Sequence, residues 1–137
     1  MRLNVYHFNE ESIGLEAAEL HTDSGLLTVL LEGEIGGLEI LDQTGKFVAV
    51  HPQPGTFLVF MGDVGKHRVV CTQAAPRVSI AFGVLSQRDG MVEPQAPLVD
   101  EQHPRLYRSF LYDDYRKLGD TTNLQDGNAL SLLRADE

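Results

Sequence analysis

A mainly β domain, a sandwich or barrel with a helical tail, is the fold class this sequence predicts, on three observations. Eight or so short runs rich in Val, Leu and Phe follow one another at close spacing. Thirteen glycines and six prolines are concentrated in short clusters that read as turns. Helix-length periodicity is absent until about residue 104. Short strands divided by Gly/Pro turns are the pattern of all-β sandwiches and barrels.

The elements follow in chain order. RLNVYHF (2–8) alternates enough to be a strand, and NEESIGLEA is a turn-rich connection. AELHT and LLTVLLE are strands separated by DSG, and GEIGG is a second turn. LEILD, KFVAV and TFLVFMGD follow as strands, divided by QTG and HPQPG. HRVVCT and RVSIAFGVL complete the set, split by QAAP. Gly, Pro, Asn and Asp end each run because they suit the backbone angles that turns require. A polar, Pro-rich connection, SQRDGMVEPQAPLVDEQHP, comes next. The segment 104–119, PRLYRSFLYDDYRKLG, then places Leu106, Phe110, Leu111, Tyr115 and Leu118 at helical intervals. Pro104 suits a first helical turn and Gly119 an exit. NALSLLRADE reads as a last short helix. The layout is a β domain over residues 1–100 with a helical extension of the same domain over 101–137.

Bulk properties narrow the function. A chain of 137 residues can bury one sizeable core. A net charge of −9 argues against non-specific nucleic-acid binding or attachment to an anionic membrane. The one cysteine, Cys71, excludes an intrachain disulfide and fits a reducing, cytoplasmic setting. It reads as a small buried residue within HRVVCT. The N-terminal residues hold no long apolar stretch, so no signal peptide or membrane span is expected there. The chain reads as beginning inside a domain, almost directly on a strand.

Two pairs of polar residues interrupt the apolar strands. His21 and Asp23 stand at i and i+2, which on a strand puts both side chains on one face. Such a pair can bind a divalent ion if a third ligand closes the face, or can simply be a strand-end turn. Two His and one carboxylate form the open triad of non-haem Fe(II) oxygenases. Among the other histidines, His51 and His103 precede prolines and read as loop residues, and His7 reads as packing or surface. His67 opens an apolar strand directly after the turn GDVGK, where a ligand can point into a barrel mouth. Arg77 and Ser79 repeat the i, i+2 spacing on an otherwise apolar strand. A buried arginine needs an anion. That anion can be a ligand carboxylate, held in bidentate fashion beside a hydroxyl. It can equally be one of the chain's twenty acidic residues.

Taken together, HTDSGLLTVLL, GGLEIL, KFVAVHPQPGTFLVFMGD, HRV and RVSIAF resemble the catalytic, C-terminal half of the plant-type 2-oxoglutarate/Fe(II)-dependent dioxygenases. That family carries H-x-D, a distal H and R-x-S in this order, and RLNVYHF resembles its N-x-Y strand. The tail, LVDEQHPRLYRSFLYDDYRKL with GNALSLLR, resembles the auxin-oxidising branch. The likeness covers nearly the whole chain. It implies a double-stranded β-helix, the distorted jelly roll shared with cupins. It implies His21, Asp23 and His67 as iron ligands. Arg77 and Ser79 would hold the distal carboxylate of 2-oxoglutarate, with Tyr6 and Asn4 beside them. It implies oxidation of a small organic acid, indole-3-acetic acid if the branch resemblance holds, coupled to decarboxylation of 2-oxoglutarate to succinate, with O2 consumed and ascorbate as reductant. No catalytic residue beyond the metal ligands is implied.

Two features differ from the family pattern. Relatives carry a large N-terminal region that covers the barrel and supplies much of the substrate pocket. The apolar surface left without it would favour self-association or a partner. Only Val64, Gly65 and Lys66 separate GD from His67, where relatives have a longer segment. Four Cα steps span at most about 14 Å, against a sheet spacing of about 10 Å, so the crossing is nearly taut. These features keep two other readings open: a truncated, catalytically silent relative that binds a ligand or partner, and a cupin-like binder of another metal. The second leaves R-x-S unexplained.

Overall fold

Eight strands form where the apolar runs lie: β1 (Arg2–Tyr6), β2 (Glu16–His21), β3 (Leu27–Glu32), β4 (Leu38–Leu41), β5 (Phe47–Ala49), β6 (Leu58–Met61), β7 (His67–Val70) and β8 (Arg77–Val84). The computed structural model describes residues 1–63, 65–122 and 128–135. These fall into two units, Met1–Leu85 and Ser86–Glu137.

The first unit is two four-stranded antiparallel sheets, ordered β1-β8-β3-β6 and β2-β7-β4-β5. The chain passes repeatedly from one sheet to the other, so nearly every pairing joins strands distant in sequence. This is the double-stranded β-helix that the resemblance implies. Its core is Phe8, Leu30, Leu38, Val69 and Cys71, with Leu58, Phe60 and Ala81 packed against them. Alternation decides which side chains face inward. Along β8, Arg77 and Ser79 are buried, whereas Val78, Ile80 and Phe82 are exposed on the outer face. Leu3 and Val5 of β1 and Val59 and Met61 of β6 are exposed as well. The sheet therefore carries apolar side chains on both faces.

Strand β2 is irregular. Its register against β7 shifts twice, between Glu16 and Ala18 and between Ala18 and His21. Bulges of this kind re-aim side chains. Here the shifts bring His21 directly opposite His67. The outer face of the same sheet is tied by Arg68, which bonds Glu16 and Glu39 and lies 3.5 Å from the centroid of the Phe47 ring.

The short connection before β7 is made possible by Gly62. A Cβ at Gly62 would lie 2.2 Å from the carbonyl oxygen of Gly25 and 2.9 Å from that of Asp23. Without one, the backbone rests against the β2–β3 turn, with Gly62 N–H donating to Leu26 O at 3.1 Å. Gly65 N–H then donates to Gly62 O at 3.2 Å, which tightens the chain ahead of His67. Val64, within this connection, lies outside the described residues. Gly62→Ala is expected to lower stability by about 1–3 kcal/mol, the usual cost of overpacking. Urea unfolding measures this, and an unchanged midpoint would show that the connection can yield.

The second unit differs from the sequence expectation in its first helix and in the segment 86–104, where a short strand and a 3-10 turn, Ala96–Leu98, interrupt the connection. The helix expected over 104–119 begins later, as α1 (Tyr112–Thr122), and runs through Gly119. Residues 104–106 form no regular element, and Phe110–Leu111 is a strand, β10, paired with β9 (Met91–Val92). Phe110 and Leu111 satisfy helical spacing and strand pairing alike, and the pairing with Met91–Val92 wins. Tyr107 forms an isolated bridge to Arg134. Asp113 and Asp114 sit in the first turn of α1, where the helix dipole favours them. Lys117 bonds Asp113 at 2.8 Å. The short final helix appears as α2 (Asn128–Ser131). The unit's core is Tyr115, Ala129 and Leu133. Residues 123–127 and the end of NALSLLRADE, 136–137, lie outside the described residues.

Candidate metal centre and carboxylate pocket

A cavity of about 400 Å³ lies between the two sheets of the first unit. Side chains from both sheets line it, and two polar groups stand out: His21, Asp23 and His67, and Asn4, Tyr6, Arg77 and Ser79.

In the first group, the metal-competent atoms of His21, Asp23 and His67 all lie within 4.8 Å of one another. His21 Nε2 is 3.8 Å from Asp23 Oδ1, and His67 Nε2 is 3.9 Å from Asp23 Oδ2. These separations exceed hydrogen bonds. The other ring nitrogens are anchored. His21 Nδ1 lies 2.6 Å from Glu19 O, and His67 Nδ1 lies 2.9 Å from Gly65 O. A carbonyl oxygen only accepts, so Nδ1 carries the proton in both rings. In the neutral ring Nε2 then keeps its lone pair, turned towards Asp23. Backbone anchoring of this kind orients histidine ligands. Burial pushes the His67 pKa down, which favours the neutral ring. The Phe60 ring packs edge-on to His67, with centroids 4.9 Å apart.

Asp23 does not sit on the strand. β2 ends at His21, and Asp23 lies in the turn that follows. The β2 bulges and this turn, rather than i, i+2 alternation, bring the two side chains together. Thr28 Oγ–H, from buried Thr28 on β3, donates to Asp23 Oδ2 at 2.6 Å and fixes the carboxylate.

The second group lies on the other sheet. Register aligns Tyr6 with Arg77 and Asn4 with Ser79 between β1 and β8. Asn4 Nδ2 donates to Ser79 Oγ at 3.4 Å, and Arg77 Nη1 donates to the same oxygen at 3.3 Å. Arg77 Cζ stands 5.2 Å from the centroid of the Tyr6 ring. The anion required by Arg77 includes one from the chain itself. Nη2 donates to Glu32 Oε1 at 2.5 Å, with the two side chains 1% and 5% exposed. Arg77 Nε is buried and has no hydrogen-bond partner among the described residues. An arginine already partnered yet keeping a buried donor to spare suits a carboxylate ligand.

His7, His51 and His103 are exposed and take no part in the cluster. Sequence reasoning missed Thr28 and Glu32. The signal was alternation: Thr28, Leu30 and Glu32 share the inward face of β3, so a threonine and a glutamate were bound for the interior. The donor set fits a divalent metal such as Fe(II), and the orphaned Arg77 Nε fits the distal carboxylate of 2-oxoglutarate.

Comparison with known proteins identifies the family. Residues 1–85 match the 2OG-Fe(II) oxygenase superfamily. The chain is 48% identical over 147 aligned positions to the 2-oxoglutarate-dependent dioxygenase DAO of Oryza sativa, covering 98% of this chain and 49% of that protein. It is 34% identical to gibberellin 20 oxidase 1 of rice, covering 82% of this chain and 33% of that protein. The crystal structure of the rice dioxygenase for auxin oxidation superimposes with a TM-score of 0.88 at 47% identity, over 97% of this chain and 50% of that one. The 2-oxoglutarate binary complex of the Arabidopsis thaliana dioxygenase for auxin oxidation 1 superimposes with a TM-score of 0.67 at 40% identity, over 75% and 44%. The chain spans half or less of the length of these relatives. A match over residues 1–85, with 48% identity across nearly all of the chain, makes it a member of the 2OG-Fe(II) oxygenase superfamily of 2-oxoglutarate-dependent oxidoreductases.

Proposed function

We propose that this chain binds Fe(II) through His21, Asp23 and His67 and 2-oxoglutarate through Arg77, and oxidises a small organic acid of the indole-3-acetic acid type. The observation that carries the reading is the pair of anchored histidines, each Nε2 lone pair turned towards one carboxylate in the lining of one cavity.

Each residue has a defined task. His21 and His67 offer Nε2, and Asp23 offers a carboxylate oriented by Thr28. Arg77, with Ser79 beside it, receives the distal carboxylate. Tyr6 covers the guanidinium, and Asn4 holds the Ser79 hydroxyl. Leu30, Leu38, Phe60 and Val69 supply apolar walls that limit water at the reacting end. When bound, Fe(II) and 2-oxoglutarate supply the oxidising power, with O2 divided between succinate and the product. No proton-transferring side chain is needed. The auxin assignment draws on the 48% identity to the rice enzyme and covers that protein only over its matching half.

The test incubates the chain with Fe(II), ascorbate and 2-oxoglutarate, with and without indole-3-acetic acid. The expected result is succinate release that rises on addition of the indole acid, together with an oxidised indole product. Succinate release indifferent to the indole acid would overturn the substrate. No succinate release under any condition would favour a silent ligand-binding module over an oxidase.

A further inference from the structure

Glu32 belongs to neither group described above, yet it makes the shortest contact to Arg77. It does not line the cavity shared by His21, His67 and Arg77. It lines a second cavity of about 290 Å³ with His51, Thr56 and Phe57. Arg77 lines the first cavity and not the second. The ion pair therefore links a residue that lines the first cavity to one that lines the second.

That placement constrains Arg77 strongly. A guanidinium has five N–H donors in a rigid plane, so fixing one nitrogen directs the rest. Glu32 takes Nη2, Nη1 meets Ser79, and Nε is left buried without a partner among the described residues. The strands reinforce this: Glu32 is the register partner of Ser79, and Ser79 is the register partner of Asn4. Three strands thus set Glu32, Ser79 and Asn4 in one row across the sheet.

From this geometry, and resting on the cosubstrate reading above, we infer that Glu32 is a positioning residue for 2-oxoglutarate. It fixes the Arg77 guanidinium through Nη2 so that the remaining donors meet the distal carboxylate. Reach is what matters in this role. A side chain of the same length keeps the guanidinium in place with or without charge. A shorter one draws it back by roughly 1 Å, a displacement large enough to damage a directed interaction.

The test separates reach from charge, using calorimetry on the Mn(II)-loaded protein. Two ligands are compared: 2-oxoglutarate, and 2-oxobutanoate, a 2-oxo acid with no distal carboxylate. Glu32→Gln keeps reach and loses charge. Glu32→Asp keeps charge and loses reach. Expected is 2-oxoglutarate affinity within about threefold of wild type for Glu32→Gln and about tenfold weaker for Glu32→Asp. Affinity for 2-oxobutanoate should be unchanged in both. Mn(II) stoichiometry reports folding of each variant. If Glu32→Asp does not fold, Glu32→Asn set against Glu32→Gln makes the same comparison of reach at equal charge. The inference is overturned if the shorter side chain binds 2-oxoglutarate as wild type does, if Glu32→Gln is the weaker of the two, or if both ligands lose affinity equally. A wild-type protein showing no preference for 2-oxoglutarate over 2-oxobutanoate would instead remove the carboxylate assignment to Arg77, and the inference with it.

Discussion

Replacing His21 with alanine is expected to abolish stoichiometric binding of Fe(II) or Mn(II). Three donors converge, and loss of one leaves His67 and Asp23 as a two-point site. His21 is the histidine to remove because its side chain is about one-third exposed, at 33%. His67 is buried against Phe60, and its removal would open a hole in the core. Substitution at a partly exposed position disturbs the scaffold less than removal of a buried ring. A calorimetric titration of a folded variant therefore reads the site and not the scaffold. Undiminished stoichiometric binding by the His21→Ala variant would remove His21 from the ligand set.

Replacing Arg77 with alanine is expected to produce two large effects at once. Truncating one partner of a desolvated charge-assisted pair costs about 2–5 kcal/mol, so 2-oxoglutarate binding should weaken by at least about thirtyfold. Stability should fall as well. The variant leaves the Glu32 carboxylate buried at 5% exposure with its guanidinium gone. Breaking a buried pair from one side costs about 3–5 kcal/mol. The double variant Arg77→Ala/Glu32→Ala removes both charges and should regain part of that stability without regaining 2-oxoglutarate. Thermal unfolding and calorimetry on the two variants separate scaffold from ligand. Tight 2-oxoglutarate binding by the double variant would show that R-x-S is structural only.

Much of this was legible beforehand, for identifiable reasons. Seven of the eight strands of the first unit lie within the apolar runs because Gly, Pro and Asp punctuate them where the backbone must turn, and β2 begins two residues ahead of its run, at Glu16. H-x-D was visible, but the strand-face argument for it was incomplete. Two register shifts and a turn do the placing, and neither shows in residue spacing. The segment 104–111 misled because Leu106, Phe110 and Leu111 fit a helix, while Met91–Val92, eighteen or more residues upstream, claimed Phe110–Leu111 as a strand partner. Periodicity carries no information about such distant competitors. Arg77 announced its need for an anion, but any of twenty acidic residues met the description. Only the register of β3 against β8 singles out Glu32.

The two-sided apolar character of β8 bears on how the chain finds its pairing. In a sheet with one wet face, a slip of one residue is punished because it turns polar side chains inward and apolar ones outward. Here Val78, Ile80 and Phe82 would enter the interior as readily as any core residue, so hydrophobicity alone discriminates weakly between the two alignments. What discriminates is polar. A slipped β8 would carry Arg77 away from Glu32 and Ser79 away from Asn4, leaving a carboxylate and an amide inside without partners. The polar groups proposed for cosubstrate recognition thus fit one alignment of the strand only. Substitutions that remove these polar groups would also free the strand to pair out of step.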